Sequence, residues 1–481
     1  MSQAISTTTP SVLARLSDLV GEHAVLTAPQ DVEPYVLDWR GIYRGETNAV
    51  VRPANTEEVA AVVKLCAETG TALVPQGGNT GMCMASVPRA GRNEIVLSLA
   101  RLNRIREVDP LNNTMTVEAG VVLETIQNAA DEVDRLFPLS LGAQGSCMIG
   151  GNLSTNAGGV NVLRYGNTRD LVLGLEVVLP DGRIWNGLRG LRKDNTGYDL
   201  KQLFVGAEGT LGIITTAVLK LFPKPSASAV AWSAVKDPEA ALELLALLRQ
   251  HCGDRINAFE LISRESLELV LRHIPGSRDP LPAAHGWYVL TEIADSRPVE
   301  AIRSELESAL GAAMEAGLVT DATIAGSGAQ AEALWHIRES IPEAARGEPG
   351  MLYRHDISVA VSAIPRFIRE AGPALEARFP GAQLICFGHL GDGNLHYNAF
   401  IPGRARADAA AREAHDVTDL VYDLVQRYGG SFSAEHGVGL AKVHELERYK
   451  SAVELDLMRA IKRTLDPQGL MNPGKVLRGG T

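Results

Sequence analysis

GHLGDGNLH, residues 388–396, decides the fold of the second half of the chain because it predicts a β-hairpin. The apolar run at 383–387 in front of it is typical of a strand, and an Asp-Gly pair between strands favours a tight reversal. On a straight strand His389 and His396 would point to opposite faces, whereas a reversal brings their imidazoles close together. Asp392 is therefore interpreted as a turn residue and not as a metal ligand.

The two imidazoles predict a divalent-metal site. Two neutral imidazoles and one carboxylate form a three-ligand site that keeps a coordination position open. The chain has only 11 histidines among 481 residues, and SAEHG at 433–437 adds a carboxylate, Glu435, and another imidazole, His436. The alternative is that His389 and His396 are ordinary side chains beside a turn.

The composition is that of a folded protein of several domains. At about 150 residues per domain, the length predicts two to three domains. A net charge of −11 argues against nucleic acid as a partner, and no apolar run reaches the about 18–20 residues of a membrane span. The N-terminal MSQAISTTTP is interpreted as a short disordered lead-in, not a targeting signal. We expect a cytoplasmic protein, because the five cysteines lack any CxxC pair and are typical of buried thiols in a reducing compartment.

A strand–helix–strand unit begins the regular part of the chain. The pattern predicts a strand at 48–53, a helix at 56–69 with Thr56 as its N-cap, and a second strand at 72–75. The loop that follows, PQGGNTG at 75–81, has the glycine content that lets backbone N–H groups surround phosphate oxygens.

Two more glycine-rich stretches strengthen the prediction of a bound nucleotide. Residues 141–159, LGAQGSCMIGGNLSTNAGG, contain too much glycine for a core helix and suggest backbone wrapped around a ligand. Residues 205–214, VGAEGTLGII, have the same character and lead into a strand at 215–222. The one Rossmann-like pattern, GSGAQA at 326–331, lacks a following parallel strand that ends in an acid, and no P-loop is present.

The order of the elements predicts several regions. Mixed strands and helices after the Lys-Pro-Ser-Ala-Ser run at 224–228 indicate an α+β domain with an antiparallel sheet, and a helix is expected around 446–464. The predicted regions are 1–44, an N-terminal helical lead-in; 45–224, cofactor-binding; 225–420, substrate-binding; and 421–481, a C-terminal helical region packing back on the cofactor-binding domain.

Three long motifs resemble a known flavoprotein superfamily. Residues 142–166, 191–215 and 388–398 are similar to the D-2-hydroxyacid dehydrogenases within the superfamily of vanillyl-alcohol oxidase and p-cresol methylhydroxylase, closest to the D-2-hydroxyglutarate dehydrogenases. The resemblance covers residues 45–478. It implies an α+β fold: a two-subdomain FAD-binding domain of the p-cresol methylhydroxylase type, an antiparallel-sheet substrate (cap) domain and a small helical C-terminal region.

The resemblance implies that the glycine-rich stretches bind FAD. Some members attach flavin through a histidine where Asn79 and Thr80 stand here, so non-covalent FAD is expected. The implied FAD-binding residues are Pro75, Gln76, Gly77, Gly78, Asn79, Thr80, Gly81, Leu141, Gly142, Gly145, Ser146, Gly150, Gly151, Asn152, Thr155, Asn156, Gly158, Gly159, Gly209, Gly212, Ile213 and Asn472.

The resemblance also implies the reactive centre. His389, His396 and Glu435 match the zinc ligands of the family, and His436 matches its catalytic histidine, which also contacts substrate. Adjacent residues of an extended segment point in opposite directions, so Glu435 and His436 serve one site only if the backbone turns or the substrate lies between them.

Three further residues match substrate-binding positions of the family. Arg338 and Arg354 are expected to hold substrate carboxylates and Asn398 to contact the substrate, although Arg338 alone would be typical of a solvated helix face. Two positions depart from the family, since Pro342 replaces a threonine and Arg354 replaces the usual lysine.

The expected reaction is FAD- and zinc-dependent oxidation of D-2-hydroxyglutarate to 2-oxoglutarate. The metal would assist deprotonation of the hydroxyl, His436 would accept the proton, and hydride would pass to flavin N5. Electron-transferring flavoprotein or a quinone is the expected electron acceptor, and a homodimer is expected. The alternatives are a D-lactate or D-malate dehydrogenase of the same branch, in which D-lactate would leave Arg354 without a carboxylate, or a non-catalytic flavin-binding subunit.

Overall fold

The computed structural model describes residues 10–348, 350–402 and 409–479. The segment MSQAISTTTP, predicted to be disordered, lies outside them apart from Pro10. The chain forms two compact units. Unit 1 comprises Met1–Gly159, Gly166–Lys224 and Glu435–Thr481, and unit 2 comprises Val160–Tyr165 and Pro225–Ala434, each as far as the structure describes it.

Strands are distributed over both units. They are β1 (Val25–Leu26), β2 (Val50–Val51), β3 (Ala72–Gln76), β4 (Glu94–Ser98), β5 (Ile105–Asp109), β6 (Thr114–Glu118), β7 (Arg135–Leu136), β8 (Val172–Val178), β9 (Ile184–Gly187), β10 (Ile213–Lys220), β11 (Phe222–Pro223), β12 (Ala227–Val235), β13 (Ile256–Ser263), β14 (Trp287–Asp295), β15 (Val319–Ile324), β16 (Gly350–Tyr353), β17 (Asp356–Ser358), β18 (Gln383–His389) and β19 (Asn394–Pro402).

Helices alternate with these strands. They are α1 (Pro10–Val20), α2 (Pro29–Val36), α3 (Thr56–Thr69), α4 (Leu123–Asp131), α5 (Ile149–Thr155), α6 (Val162–Tyr165), α7 (Pro238–Cys252), α8 (Arg264–His273), α9 (Val299–Glu315), α10 (Gly328–Ala344), α11 (Ile364–Arg378), α12 (Ala409–Arg427), α13 (Val443–Tyr449) and α14 (Ala452–Leu465).

The first sheet of unit 1 contains the predicted strand–helix–strand unit. Its order is β1-β2-β4-β3, and β2 and β3 both run parallel to β4. Helix α3 connects β2 to β3 as predicted, but its N-cap is Asn55, whose side chain accepts a hydrogen bond from the Glu58 N–H. Thr56 is the first helical residue, and its hydroxyl instead donates to Glu176 at 2.7 Å. Helices α1 and α3 cover one face of this sheet.

The second sheet of unit 1 is antiparallel, with the order β5-β6-β10-β8-β9. The prediction that residues 141–159 contain no core helix is wrong, because Ile149–Thr155 form α5 with Ile149 and Leu153 buried. Gly150 permits this helix: a Cβ there would lie 2.7 Å from the Ala119 Cβ, so only glycine allows the close approach.

The C-terminal segment completes the edge of the first sheet. Leu73 of β3 donates its N–H to the Leu470 carbonyl and accepts the N–H of Asn472. The single helix predicted around 446–464 is two helices, α13 and α14, because Ser451 and Glu454 form a capping box that starts a new helix.

Unit 2 contains one large sheet in which every paired strand is antiparallel, as predicted. Its order is β15-β12-β14-β13-β18-β19-β16, and β17 also pairs with β19. Helices α8 and α10 pack their apolar residues on one face of this sheet. Residues 326–331 begin α10 after β15, an antiparallel edge strand, so they do not form a Rossmann turn.

The cysteines and the helices of the described residues can be compared with two general expectations. All five cysteines are buried and none forms a disulfide. None of the helices that the structure describes combines the length and apolarity needed to cross a membrane.

Candidate active site

The predicted hairpin brings two imidazoles together in unit 2. Strand β18 ends at His389, residues 390–393 form the turn, and β19 contains His396. The two ring centroids are 5.7 Å apart. Asp392 accepts a hydrogen bond from the Asn394 N–H at 3.1 Å, which agrees with its interpretation as a turn residue.

Glu260 supports His389 from the neighbouring strand. The two residues are register partners on β13 and β18, and His389 Nδ1 lies 2.6 Å from Glu260 Oε1. Burial would raise the pKa of Glu260, but the charges of His389 and Arg338 and their hydrogen bonds outweigh it and lower the pKa to about 2. The contact orients the ring so that Nε2 is the nitrogen suited to bind a metal.

Glu260 was not predicted from the sequence, although the strand that contains it carries a signal. Residues 256–263, INAFELIS, are all buried in β13, and Glu260 is the one carboxylate among them. A carboxylate inside an apolar strand requires a charged or hydrogen-bonding partner.

Arg338 is buried, which excludes the alternative that it lies on a solvated helix face. Its side chain is 7% exposed, and Nε donates to Glu260 Oε2 at 2.7 Å. The guanidinium also lies over the Phe387 ring, 4.8 Å from the centroid. Because Nε is engaged with Glu260, the Nη atoms are those suited to a substrate carboxylate.

The other predicted substrate residues differ in exposure. Asn398 on β19 is 6% exposed, and its Oδ1 accepts the His355 N–H at 3.2 Å, so this amide also organises the backbone. Arg354 is exposed between β16 and β17.

Glu435 and His436 begin the last segment of unit 1. Glu435 Oε2 accepts the N–H of Gly159, at the end of the second glycine-rich stretch, at 3.1 Å. His436 Nε2 is 3.8 Å from Glu435 Oε1, and the His436 side chain is 29% exposed. In unit 2, the preceding residue, Ala434, donates its N–H to the Asp356 carbonyl at 3.3 Å.

The glycine-rich stretches of unit 1 lie against one another. A Cβ on Gly78 would overlap the Ser146 carbonyl, and one on Gly209 would lie 2.5 Å from Pro75 Cγ. Within the described ranges, no hydrogen bond uses the backbone N–H groups of residues 77–81. Two buried side-chain oxygens, Oδ1 of Asn152 and Oδ1 of Asn472, have no partner among the described residues.

Several of the predicted FAD residues also have structural contacts. Gln76 donates to the Ser86 carbonyl at 2.7 Å, and Asn79 donates to the Leu37 carbonyl at 2.8 Å. Ile213 is 1% exposed in the unit 1 core, so its side chain is packed among apolar residues.

Comparison with solved structures defines the class of protein. The structure of p-cresol methylhydroxylase with substrate bound matches 97% of this chain and 96% of its own, with a TM-score of 0.76 and 17% identity. The predicted fold class is thereby confirmed: an α+β protein with the FAD-binding architecture of the vanillyl-alcohol oxidase and p-cresol methylhydroxylase superfamily.

Comparison of sequences defines the family. Residues 224–476 match the family of FAD linked oxidases, C-terminal domain, and residues 47–187 match the FAD binding domain. A D-2-hydroxyglutarate dehydrogenase of Xanthomonas citri pv. viticola is 41% identical over 98% of this chain and 97% of its own. A mitochondrial D-2-hydroxyglutarate dehydrogenase of Bos taurus is 41% identical over 94% and 81%. The chain belongs to the FAD-linked oxidase family and is an FAD-dependent oxidoreductase.

The residues of unit 1 fit the cofactor that this family implies. The N–H groups of residues 77–81 are unused by other backbone groups and would suit pyrophosphate oxygens, and glycine would let the cofactor approach the main chain. The buried Oδ1 atoms of Asn152 and Asn472 would suit donor groups of FAD. The family supports FAD, while the role of each predicted residue stays a prediction.

Proposed function

We propose that the chain oxidises D-2-hydroxyglutarate to 2-oxoglutarate, with FAD bound non-covalently by unit 1 and Zn²⁺ held by His389, His396 and Glu435. The pair of imidazoles on the β18–β19 hairpin, 5.7 Å between centroids, carries this proposal. Glu260 strengthens it, because a carboxylate on Nδ1 is the usual support of a metal-binding histidine. The relatives named above support the choice of substrate.

The local backbone supports Glu435 as the third ligand. Asp356 is the register partner of His396, and its carbonyl accepts the N–H of Ala434. Glu435 is the next residue in the chain. Two nitrogen donors and one oxygen donor form a set that suits Zn²⁺ and leaves a position for substrate.

The reaction removes a proton from the substrate hydroxyl and a hydride from the same carbon. When bound, Zn²⁺ would act as a Lewis acid on the hydroxyl and FAD would accept the hydride. His436 would accept the hydroxyl proton, because imidazole transfers protons near neutral pH. The substrate would be oriented by the Arg338 Nη atoms, Arg354 and Asn398. Guanidinium groups suit this role because their paired donors match the geometry of a carboxylate.

The remaining properties are proposed on the resemblance alone. Electron-transferring flavoprotein or a quinone would reoxidise the flavin, and the protein would work as a cytoplasmic homodimer. One relative named above is bacterial and the other is mitochondrial, so the location stays a prediction.

Anaerobic bleaching of the flavin near ~450 nm tests the proposed function. D-2-hydroxyglutarate, D-malate, D-lactate and their L-forms are added separately to the metal-loaded protein and to the protein after verified metal removal. We expect bleaching by D-2-hydroxyglutarate that depends on the metal. Bleaching unaffected by metal removal would contradict the proposed metal role.

The same panel tests the alternatives. A preference for D-lactate would leave Arg354 without a carboxylate, and a preference for D-malate would indicate a shorter distance between the two carboxylate sites. No bleaching by any hydroxy acid would indicate a flavin-binding subunit without catalysis of its own.

A further inference from the structure

Glu208 is a buried carboxylate that the proposed mechanism does not use. It lies in the third glycine-rich stretch, is 5% exposed, and has a φ of 51°, which is uncommon for a residue with a side chain. Its own carbonyl accepts a hydrogen bond from Asn472 Nδ2 at 2.6 Å. The main chain of Glu208 is thus held in unit 1, and its side chain is buried.

The Glu208 carboxylate binds the backbone that follows His436. The Val438 N–H donates to Oε1 and the Gly439 N–H donates to Oε2, both at 2.7 Å. Two adjacent N–H groups that share one carboxylate fix the direction of the intervening peptide bond.

Other contacts hold the same turn. Cys83 Sγ lies 3.3 Å from the Gly437 carbonyl oxygen, and the Cys83 carbonyl accepts the Leu440 N–H at 2.9 Å. The Val476 N–H donates to the Gly439 carbonyl at 3.0 Å. Residues 437–440 are therefore anchored directly after His436, and Glu208 supplies two of the anchoring bonds.

We infer that Glu208 is a positioning residue that sets the orientation of His436 by binding the N–H groups of Val438 and Gly439. The inference rests on the proposed role of His436 as the base. Anchoring the backbone at 438–439 limits the movement of His436, which lies two residues earlier. A displacement of about 1 Å in a catalytic group can cost about 100-fold in rate.

The test compares flavin reduction by D-2-hydroxyglutarate in Glu208→Gln, Glu208→Asp and the unchanged holoenzyme. Gln keeps the size of the side chain but replaces one acceptor by an NH₂ group that faces a backbone N–H. We expect Glu208→Gln to lower the limiting reduction rate about 100-fold while KM stays within about twofold. Glu208→Asp keeps both carboxylate oxygens and should be faster than Glu208→Gln.

The matched control is Glu176→Gln in the same unit. Glu176 is buried, and the hydroxyls of Thr56, Thr215 and Thr216 donate to it at 2.7, 3.0 and 2.9 Å. The control thus removes a buried carboxylate without touching residues 437–440. FAD content and thermal unfolding are measured for every variant, since a purely structural role would change these in proportion to activity.

Each outcome distinguishes the inference from the proposed function. If Glu208→Gln reduces flavin as fast as Glu176→Gln, or loses activity only in proportion to FAD, the inference is overturned. If His436→Ala is fully active, the base assignment fails and the inference fails with it. If His436→Ala is inactive while Glu208→Gln is fully active, the inference alone fails.

Discussion

Glu260 joins a predicted metal ligand and a predicted substrate residue through one carboxylate. Its oxygens lie 2.6 Å from His389 Nδ1 and 2.7 Å from Arg338 Nε. We predict that Glu260→Gln weakens Zn²⁺ binding about 10- to 100-fold, because the neutral amide no longer increases the basicity of the imidazole. Competition with a chromogenic chelator measures this affinity.

The control for this variant is Glu292→Gln in the same sheet. Glu292 accepts hydrogen bonds from Asn257 at 3.2 Å and Trp335 at 2.8 Å. If both variants bind Zn²⁺ equally well, Glu260 does not support the metal site.

His436 is the proposed proton acceptor and not a metal ligand. We predict that His436→Ala lowers the rate of flavin reduction by about 10²- to 10⁴-fold, the usual contribution of a general base. FAD absorbance and zinc content should stay at the level of the unchanged protein. Full activity would exclude His436 as the base, and loss of zinc would indicate that it is a ligand.

The carboxyl of Glu208 makes stability depend on pH. Burial raises its pKa from the ordinary 4.5 to about 7, against the opposing effect of the Val438 and Gly439 N–H groups and the charge of Lys442. The folded protein therefore retains a proton that the unfolded chain loses between these values. The contribution of this group to stability is full below about pH 4.5 and is lost as pH rises through about 7.

Comparison of Tm between the unchanged protein and Glu208→Gln tests this pH dependence. The Tm of the unchanged protein should fall relative to that of the variant as pH rises from about 5 to about 8. A Tm difference that is constant over this range would show that Glu208 ionises at its ordinary pKa.

The contact between two glycine-rich stretches leaves no space for a methyl group on Gly78, which would overlap the Ser146 carbonyl. We predict that Gly78→Ala separates the stretches and that the purified protein loses most of its FAD, measured by absorbance near ~450 nm relative to protein. Gly311→Ala is the control, since nothing lies within 4 Å of a Cβ there. Equal FAD content in both variants would contradict this role of Gly78.

Local sequence patterns predict helices and strands well, but they do not predict contacts between residues that are distant in sequence. The hairpin and α3 follow from turn residues, capping residues and apolar spacing, and both are present. Helix α5 was not predicted because the glycine content of its segment argued against a helix. Gly150 is needed there for close packing against Ala119, and no local pattern reveals that packing. Glu260 was missed because its partners, His389 and Arg338, are distant in sequence.

Across the whole molecule, residues far apart in sequence belong to one unit. Val160–Tyr165 belong to unit 2, although unit 1 precedes and follows them, and Glu435–Thr481 belong to unit 1. The superfamily could be predicted from the sequence because each of its motifs is one continuous stretch of the chain. The C-terminal segment returns to unit 1 through contacts such as the hydrogen bond between Leu73 and Leu470. No sequence pattern near either residue predicts such a contact.

The C-terminal segment contributes to the stability of unit 1. Removing residues 470–481 would break the hydrogen bonds of β3 with Leu470 and Asn472 and the Asn472 contact with Glu208. We predict a lower Tm and aggregation through the exposed strand edge, measured by thermal unfolding and size-exclusion chromatography. Removing only residues 480–481 is the control, and equal Tm for both truncations would contradict this role.

The return of the C-terminus to β3 also has a consequence for the order of biosynthesis. A ribosome delivers every residue of unit 2 by Ala434, whereas unit 1 still lacks Leu470 and Asn472. The nascent N-terminal half therefore keeps one edge of its first sheet unpaired until residues 470–472 have been synthesised. Such an edge can pair with other chains, so we expect newly made molecules to be prone to aggregation until residues 470–472 pair with β3.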